Sequence, residues 1–203
     1  GRDEVRAYRR KGEVMETTRE QKRHFSLCTD KNLYWAFVAA LAGAIIVCAA
    51  FFLPYGAADK EYRQELEQYS SEISIPKLGM NNKDIEDMSM PEYIRTYLYA
   101  GEVNMADEAV VVGGVVVIGL IGILSCITLL LTILKKPAAV MIVNTLVLGA
   151  FRLLCYDFKD RGVIGNSGYN WGIAYYLYYI GIAVIYAGAV WMFIIKRNQK
   201  KTS

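Results

Sequence analysis

Histidine is almost missing from this chain: His24 is the only one in 203 residues. That excludes a histidine-based metal centre and a Ser–His–acid triad. The four cysteines, Cys28, Cys48, Cys126 and Cys155, show no C-x-x-C spacing, so a redox dithiol or a thiolate metal cluster is not expected. No serine sits between the glycines of a nucleophile elbow, and no Walker-type phosphate loop occurs. No catalytic, cofactor-binding or metal-ligating residues are therefore assigned. Charge is also missing, over long runs. Leu33–Leu53 has 21 residues without a charge, Ala109–Leu134 has 26 and Trp171–Ile195 has 25, while Pro137–Tyr156 has 20 with one charge, Arg152. About 20 apolar residues cross a bilayer core as a helix, so each run is long enough to span.

The fold class expected is all-α: a transmembrane four-helix bundle with a partly helical outer loop between spans 1 and 2. The sequence divides into an arm at 1–32, a first span at 33–54, a loop at 55–108, a second span at 109–134, a third at 137–156, a short loop at 157–170, a fourth span at 171–195 and a tail at 196–203. Four spans leave no room for a soluble catalytic domain of ordinary size. The net charge of +3 conceals segregation. Residues 1–33 hold nine Lys/Arg against six Asp/Glu, Lys135–Lys136 add two, and Lys196, Arg197, Lys200 and Lys201 add four with no acid. Tyr55–Asp107 holds five basic and eleven acidic residues, a net of −6. Basic flanks stay cytoplasmic, which places both termini and the Lys135–Lys136 turn inside and both loops outside. Topology accounts for the basic residues, so nucleic acid is not an expected partner.

The arm has two notable features. Arg10-Lys11-Gly12-Glu13-Val14 stands directly before Met15, and such residues can be encoded by a purine-rich ribosome-binding sequence, so Met15 is a candidate native start. The first span is longer than a signal-peptide core and carries a long basic flank, as an uncleaved signal anchor does.

Small residues recur within the spans: Ala36, Ala39, Ala40, Gly43 and Ala44 in the first, Gly113, Gly114, Gly119, Gly122 and Ser125 in the second, Gly181, Ala183, Ala187 and Gly188 in the fourth. Close backbone approach at small residues supplies packing in lipid, here expected within the chain before between copies. Cys48 and Cys126 are expected as buried small hydrophobes and Cys155 as an interfacial thiol.

In the long loop, Tyr62, Leu66 and Tyr69 lie at helical spacing within 59–72. Ser89-Met90-Pro91-Glu92 combines an N-cap serine, an early proline and a glutamate three residues on, which is a capping box. The helix it starts is expected to run to about Ala100 and stop at Gly101. Ile94, Tyr97 and Leu98 share one face of it, either docked on the bundle or offered to a protein partner. Glu86, Asp87 and Glu92, or Asp107 and Glu108, carry the oxygens of a hard-cation site but lack a loop of fixed spacing, so a solvated acidic surface is expected.

Two polar residues stand out in the third span. Asn144 near mid-membrane and Arg152 near its outer end fall on one stripe with Leu148. They read as an interhelical contact and an interface anchor whose stem reaches outward to an acid, or as the lining of a polar path. Tyr169, Trp171, Tyr175, Tyr176, Tyr178 and Tyr179 crowd the outer end of the fourth span, as an interfacial aromatic belt does.

Cytoplasmic ends with one large and one small outer loop resemble claudin-like tetraspan topology, although the large loop lacks the tryptophan and the cysteine pair of that signature. Lys135-Lys136-Pro137, Tyr169-Asn170-Trp171-Gly172 and Ile195-Lys196-Arg197 resemble uncharacterised small four-span membrane proteins of Gram-positive bacteria. That resemblance implies a bacterial plasma membrane and no particular activity. The expected function is that of a non-enzymatic multi-pass protein, a scaffold, accessory or sensor subunit that meets a partner through its outer loop. The alternative is a small oligomeric transporter or pore subunit with Asn144 and Arg152 lining a polar path. The partners expected are the lipid bilayer and either another protein or a second copy of the chain.

Overall fold

The computed structural model describes residues 31–165 and 167–202; the candidate start Met15, Cys28 and most of the basic arm lie outside them. Four long helices match the four apolar runs: α1 Lys31–Ala50, α5 Glu108–Ile133, α6 Pro137–Asp160 and α7 Ile173–Thr202. Each has the length and composition to cross a membrane. Between α1 and α5 the chain forms β1 (Pro54–Ala58), α2 (Lys60–Gln68), β2 (Ile73–Ile75), a 3₁₀ turn, β3 (Met80–Asn81), α3 (Asn82–Glu86), β4 (Asp87–Ser89) and α4 (Met90–Glu102), and β5 (Tyr169–Trp171) precedes α7.

The bundle closes as a ring. α5 packs on α6 and α6 on α7, while α1 lies in the seam of α7. The buried positions of α5 are Val111, Gly114, Ile118, Ile121, Ser125, Thr128 and Thr132. They alternate steps of three and four residues, the period of a left-handed helix pair. Those of α6 begin Pro137, Val140, Asn144, Val147, Phe151 and Leu154 on the same period. The hydroxyls of Ser125, Thr128 and Thr132 each donate to the carbonyl four residues earlier, so they are buried without unmet polarity. The other faces carry exposed Val112, Val116, Leu120 and Ile123, as lipid contact requires.

Small residues make the α1–α7 seam. A Cβ on Gly188 would lie 2.5 Å from the Ala40 nitrogen, and one on Gly43 would lie 2.8 Å from the Gly181 carbonyl oxygen. Only glycine permits that approach. Phe51, just past α1, fills the space over Gly122 and joins α1 to α5. These small residues are used within the chain, whereas Gly113, Gly119 and Gly149 face open space.

The loops differ from the expected helix-and-coil arrangement, because three strands tie them together. β1 is the centre of an antiparallel sheet in the order β4-β1-β5, with Gly56 opposite Met88 on one side and Trp171 on the other. The sheet links the exit of α1, the start of α4 and the start of α7. The first span therefore ends at Ala50, short of residue 54. The fourth starts at Ile173 rather than Trp171, and α7 continues past Ile195 to Thr202, so the basic tail is helical. Gly172 is required at the turn into α7, since a Cβ there would strike the Pro54 carbonyl group of β1.

The helix starts in the cap follow local chemistry. Asp59 caps α2 by accepting from the N–H groups of Glu61 and Tyr62 at 3.1 and 2.9 Å. α2 stops at Gln68, shorter than the 59–72 span of its sequence pattern. α4 starts on the expected capping box, with the Ser89 N–H donating to the Glu92 carboxylate at 2.6 Å. It runs two residues beyond Ala100. Gly101 is not its stop but a close-packing position under Val111, and Asn104 takes the left-handed conformation, φ 54°, that ends the helix.

Candidate functional site

The end of the bundle under the sheet is sealed by Tyr55. Strand β1 points its side chain down between the helix ends, where it is wholly buried. Its ring meets Phe158, Trp171, Phe151 and Tyr93 edge-on at centroid distances of 5.5, 5.5, 6.0 and 6.3 Å, the arrangement that aromatic quadrupoles favour. Its hydroxyl lies 3.3 Å from the Cys155 sulfur. Burial holds the Tyr55 phenol far above its usual range, with Cys155 adding to the effect, so it stays neutral. Cys155 is thus not an interfacial thiol: it is buried beneath the sheet, while Cys126 is exposed. The aromatic belt divides the same way. Tyr176 is exposed, but Tyr178 is wholly buried and stacked on Phe151 at 4.6 Å, and Trp171 stacks on Tyr175 at 4.5 Å. Tyr178 is core, Tyr169, Trp171, Tyr175 and Tyr179 pack partly buried against it, and Tyr176 alone of the six is exposed.

The two polar residues of α6 are not brought together. Asn144 is fully buried and donates from Nδ2 to the Ile182 carbonyl of α7 at 3.2 Å. Arg152 lies two turns further on and is exposed, with a guanidinium nitrogen 2.9 Å from the Tyr179 hydroxyl. Its partner is a tyrosine rather than the expected acid, and Asp157 is taken by Arg161, which caps the end of α6. One residue clamps α6 to α7 from inside the bundle and the other from outside.

The face of α4 is mostly spent on the protein's own bundle. Tyr97 packs against Gly114, where a Cβ would meet its ring at 3.0 Å, and against Phe158. Ile94 joins the same core, whereas Leu98 remains 50% exposed. Tyr93, beside them, is buried with its ring 4.9 Å from Phe158 and its hydroxyl over Gly56. Burial raises its pKa, followed by the nearby Tyr169 and Tyr97.

The acids of the cap are partly used up as well. Arg63 of α2 bridges Glu86 and Asp87, the latter at 2.9 Å. Desolvation works against the Arg63 charge, but the bond to Asp87 and the two carboxylates outweigh it and hold its pKa above the usual value. Glu92 is committed to the α4 cap, and Lys77 pairs with Glu102. What stays outward is one stripe of α2. Glu61, Glu65 and Tyr69 follow at intervals of four, all exposed, with exposed Glu72 and Ile73 at the end of the turn that follows. Tyr69 is 52% and Ile73 61% exposed. This acidic stripe with two apolar side chains is a candidate interaction surface. The sequence pattern of Tyr62, Leu66 and Tyr69 hides it, because only Leu66 of the three is buried while Tyr62 lies half-buried against Tyr169.

Comparison with protein-family models, with curated proteins and with solved structures finds no match to this chain.

Proposed function

We propose that this chain is a non-enzymatic scaffold, accessory or sensor subunit of the bacterial plasma membrane, engaging a protein partner through its folded cap. Both termini and the Lys135–Lys136 turn are cytoplasmic in this reading, and the cap is outside. One observation carries it: Tyr69 and Ile73 stand exposed beyond the exposed acids Glu61 and Glu65, on a cap whose other large apolar side chains, Leu98 excepted, are buried or partly buried. Aromatic and aliphatic anchors ringed by charge are what a protein interface uses, with the charges steering a basic partner. A prefolded cap also lowers the ordering cost of binding.

The test is site-specific photo-crosslinking in native membranes, with the probe at residue 69 or 73 and, as a control, at buried residue 90. A discrete protein adduct is expected from 69 and 73, lost when Glu61 and Glu65 are both changed to Lys. Lipid adducts alone, or none, from a folded chain would overturn the reading.

A further inference from the structure

The opposite end of the bundle holds a groove of about 620 Å³ between the start of α6 and the last turns of α7. Five cations line it: Lys136, Lys196, Arg197, Lys200 and Lys201, with no acid among the lining residues. Its floor is apolar, made by Pro137, Ala138, Ala139 and Phe193. Lys196 is partly engaged, donating to the Lys135 carbonyl and so tying α7 to the α5–α6 turn. Lys136, Arg197, Lys200 and Lys201 make no ion pair among the described residues.

Orientation in the membrane accounts for basic residues at a span's end, but not for their convergence around one apolar groove. Bringing five like charges together is unfavourable unless something negative joins them. The helix geometry adds to this. α6 starts without a side-chain cap, and Pro137 at its first turn has no N–H, so the Ala138 and Ala139 N–H groups are left to bind outside the helix. The occupant must therefore be anionic at the rim and apolar below it. Residues 1–30, which precede α1, carry eight Lys/Arg against six Asp/Glu, a net positive charge.

We infer that this groove binds an anionic phospholipid, with the headgroup phosphate held by the Lys136, Arg197 and Lys200 side chains near the α6 N-terminus and an acyl chain lying along Phe193 and Pro137. Basic pockets between spans bind anionic headgroups on these terms. The site needs no cap partner and is independent of the proposed function.

The full chain, purified in a neutral detergent, is titrated with phosphatidylglycerol or phosphatidylcholine, and retained lipid is counted by native mass spectrometry. Phosphatidylglycerol is expected to bind preferentially. Each basic residue near a lipid surface gives roughly fivefold in affinity, so the triple variant Lys136→Gln, Arg197→Gln, Lys200→Gln should weaken it roughly a hundredfold. Exchanging the same positions as Lys136→Arg, Arg197→Lys and Lys200→Arg should restore binding. Removing three charges at the other end, through Lys60→Gln, Lys83→Gln and Lys159→Gln, should leave it unchanged. Equal retention of the two lipids, or an unaffected triple variant, overturns the inference. Displacement of the lipid by inorganic phosphate at matched ionic strength also overturns it, in favour of a soluble phosphate ligand.

Discussion

Gly188→Ala should destabilise the bundle, although alanine is the better helix former. The new methyl group would stand 2.5 Å from the Ala40 nitrogen and 2.8 Å from both the Ala36 oxygen and the Ala40 Cα. Carbon contacts are comfortable at about 3.5–4.0 Å, so α1 and α7 must part by roughly 1 Å. All three obstacles are backbone atoms, and no rotamer change relieves them. Overpacking costs about 1–3 kcal/mol, and a rigid obstacle argues for the upper end. Alanine's propensity returns at most about 1 kcal/mol. The net is a loss of about 2 kcal/mol, or roughly thirtyfold in the unfolding equilibrium. Gly113→Ala is the matched control, because nothing lies within 4 Å of its added carbon. It should be neutral or slightly stabilising. Reversible unfolding in mixed micelles reads both variants on one scale. If Gly188→Ala is as stable as the parent, the α1–α7 seam is not packed as described. If its loss depends on protein concentration, the seam lies between copies.

Three further outcomes follow from the same contacts. Asn144→Leu should cost no more than about 1 kcal/mol in the same unfolding assay, since it removes one interhelical hydrogen bond to Ile182. Ser89→Ala should cost roughly 1 kcal/mol of cap stability through the weakened start of α4, read as faster hydrogen exchange across residues 90–96 and little change in the spans. Tyr55, Tyr93 and Tyr169 all have raised pKa values, so the buried neutral phenols contribute their full stability below about pH 10, where unfolded tyrosine begins to ionise, and that contribution falls as pH rises further. The tyrosinate absorbance contributed by these three should therefore appear late and together with loss of the cap.

Span number and approximate span limits were legible in the sequence, because three uncharged runs of 21 to 26 residues and a fourth of 20 with one charge leave few alternatives to a membrane helix. Which side of each helix faces inward was harder to read. In α5 nearly every residue is apolar, so hydropathy has no direction, and the inward side is marked instead by Gly114, Ser125, Thr128 and Thr132 on a step of three and four. That polar and small stripe is the signal in the sequence that locates the interior. The α4 cap was readable from four residues, since Ser89 and Glu92 act locally. Gly101 misled because its glycine serves packing against Val111 rather than chain reversal. The three-stranded sheet was not legible. Its strands are three to five residues long, and β1 pairs with β5 across more than a hundred positions and with β4 across thirty or more, so no local alternation announces them. Tyr55 follows from that sheet: without knowing that β1 turns back over the bundle, a tyrosine beyond a span reads as an interfacial residue. The exposed pair Tyr69 and Ile73, like the groove at Lys136, becomes visible only once the folded neighbours are in place.

The central claim is that residues 54–102 form a folded cap seated on the protein's own bundle, leaving the Tyr69–Ile73 surface free. Hydrogen exchange on the isolated chain in lipid nanodiscs addresses it directly. Amides of 93–99, which lie in α4 over Gly114 and Phe158, should exchange far more slowly than those at the exposed 69–73 turn, with no partner added. Exchange at 93–99 as fast as at 69–73 would mean that α4 does not dock on its own, and would contradict the account.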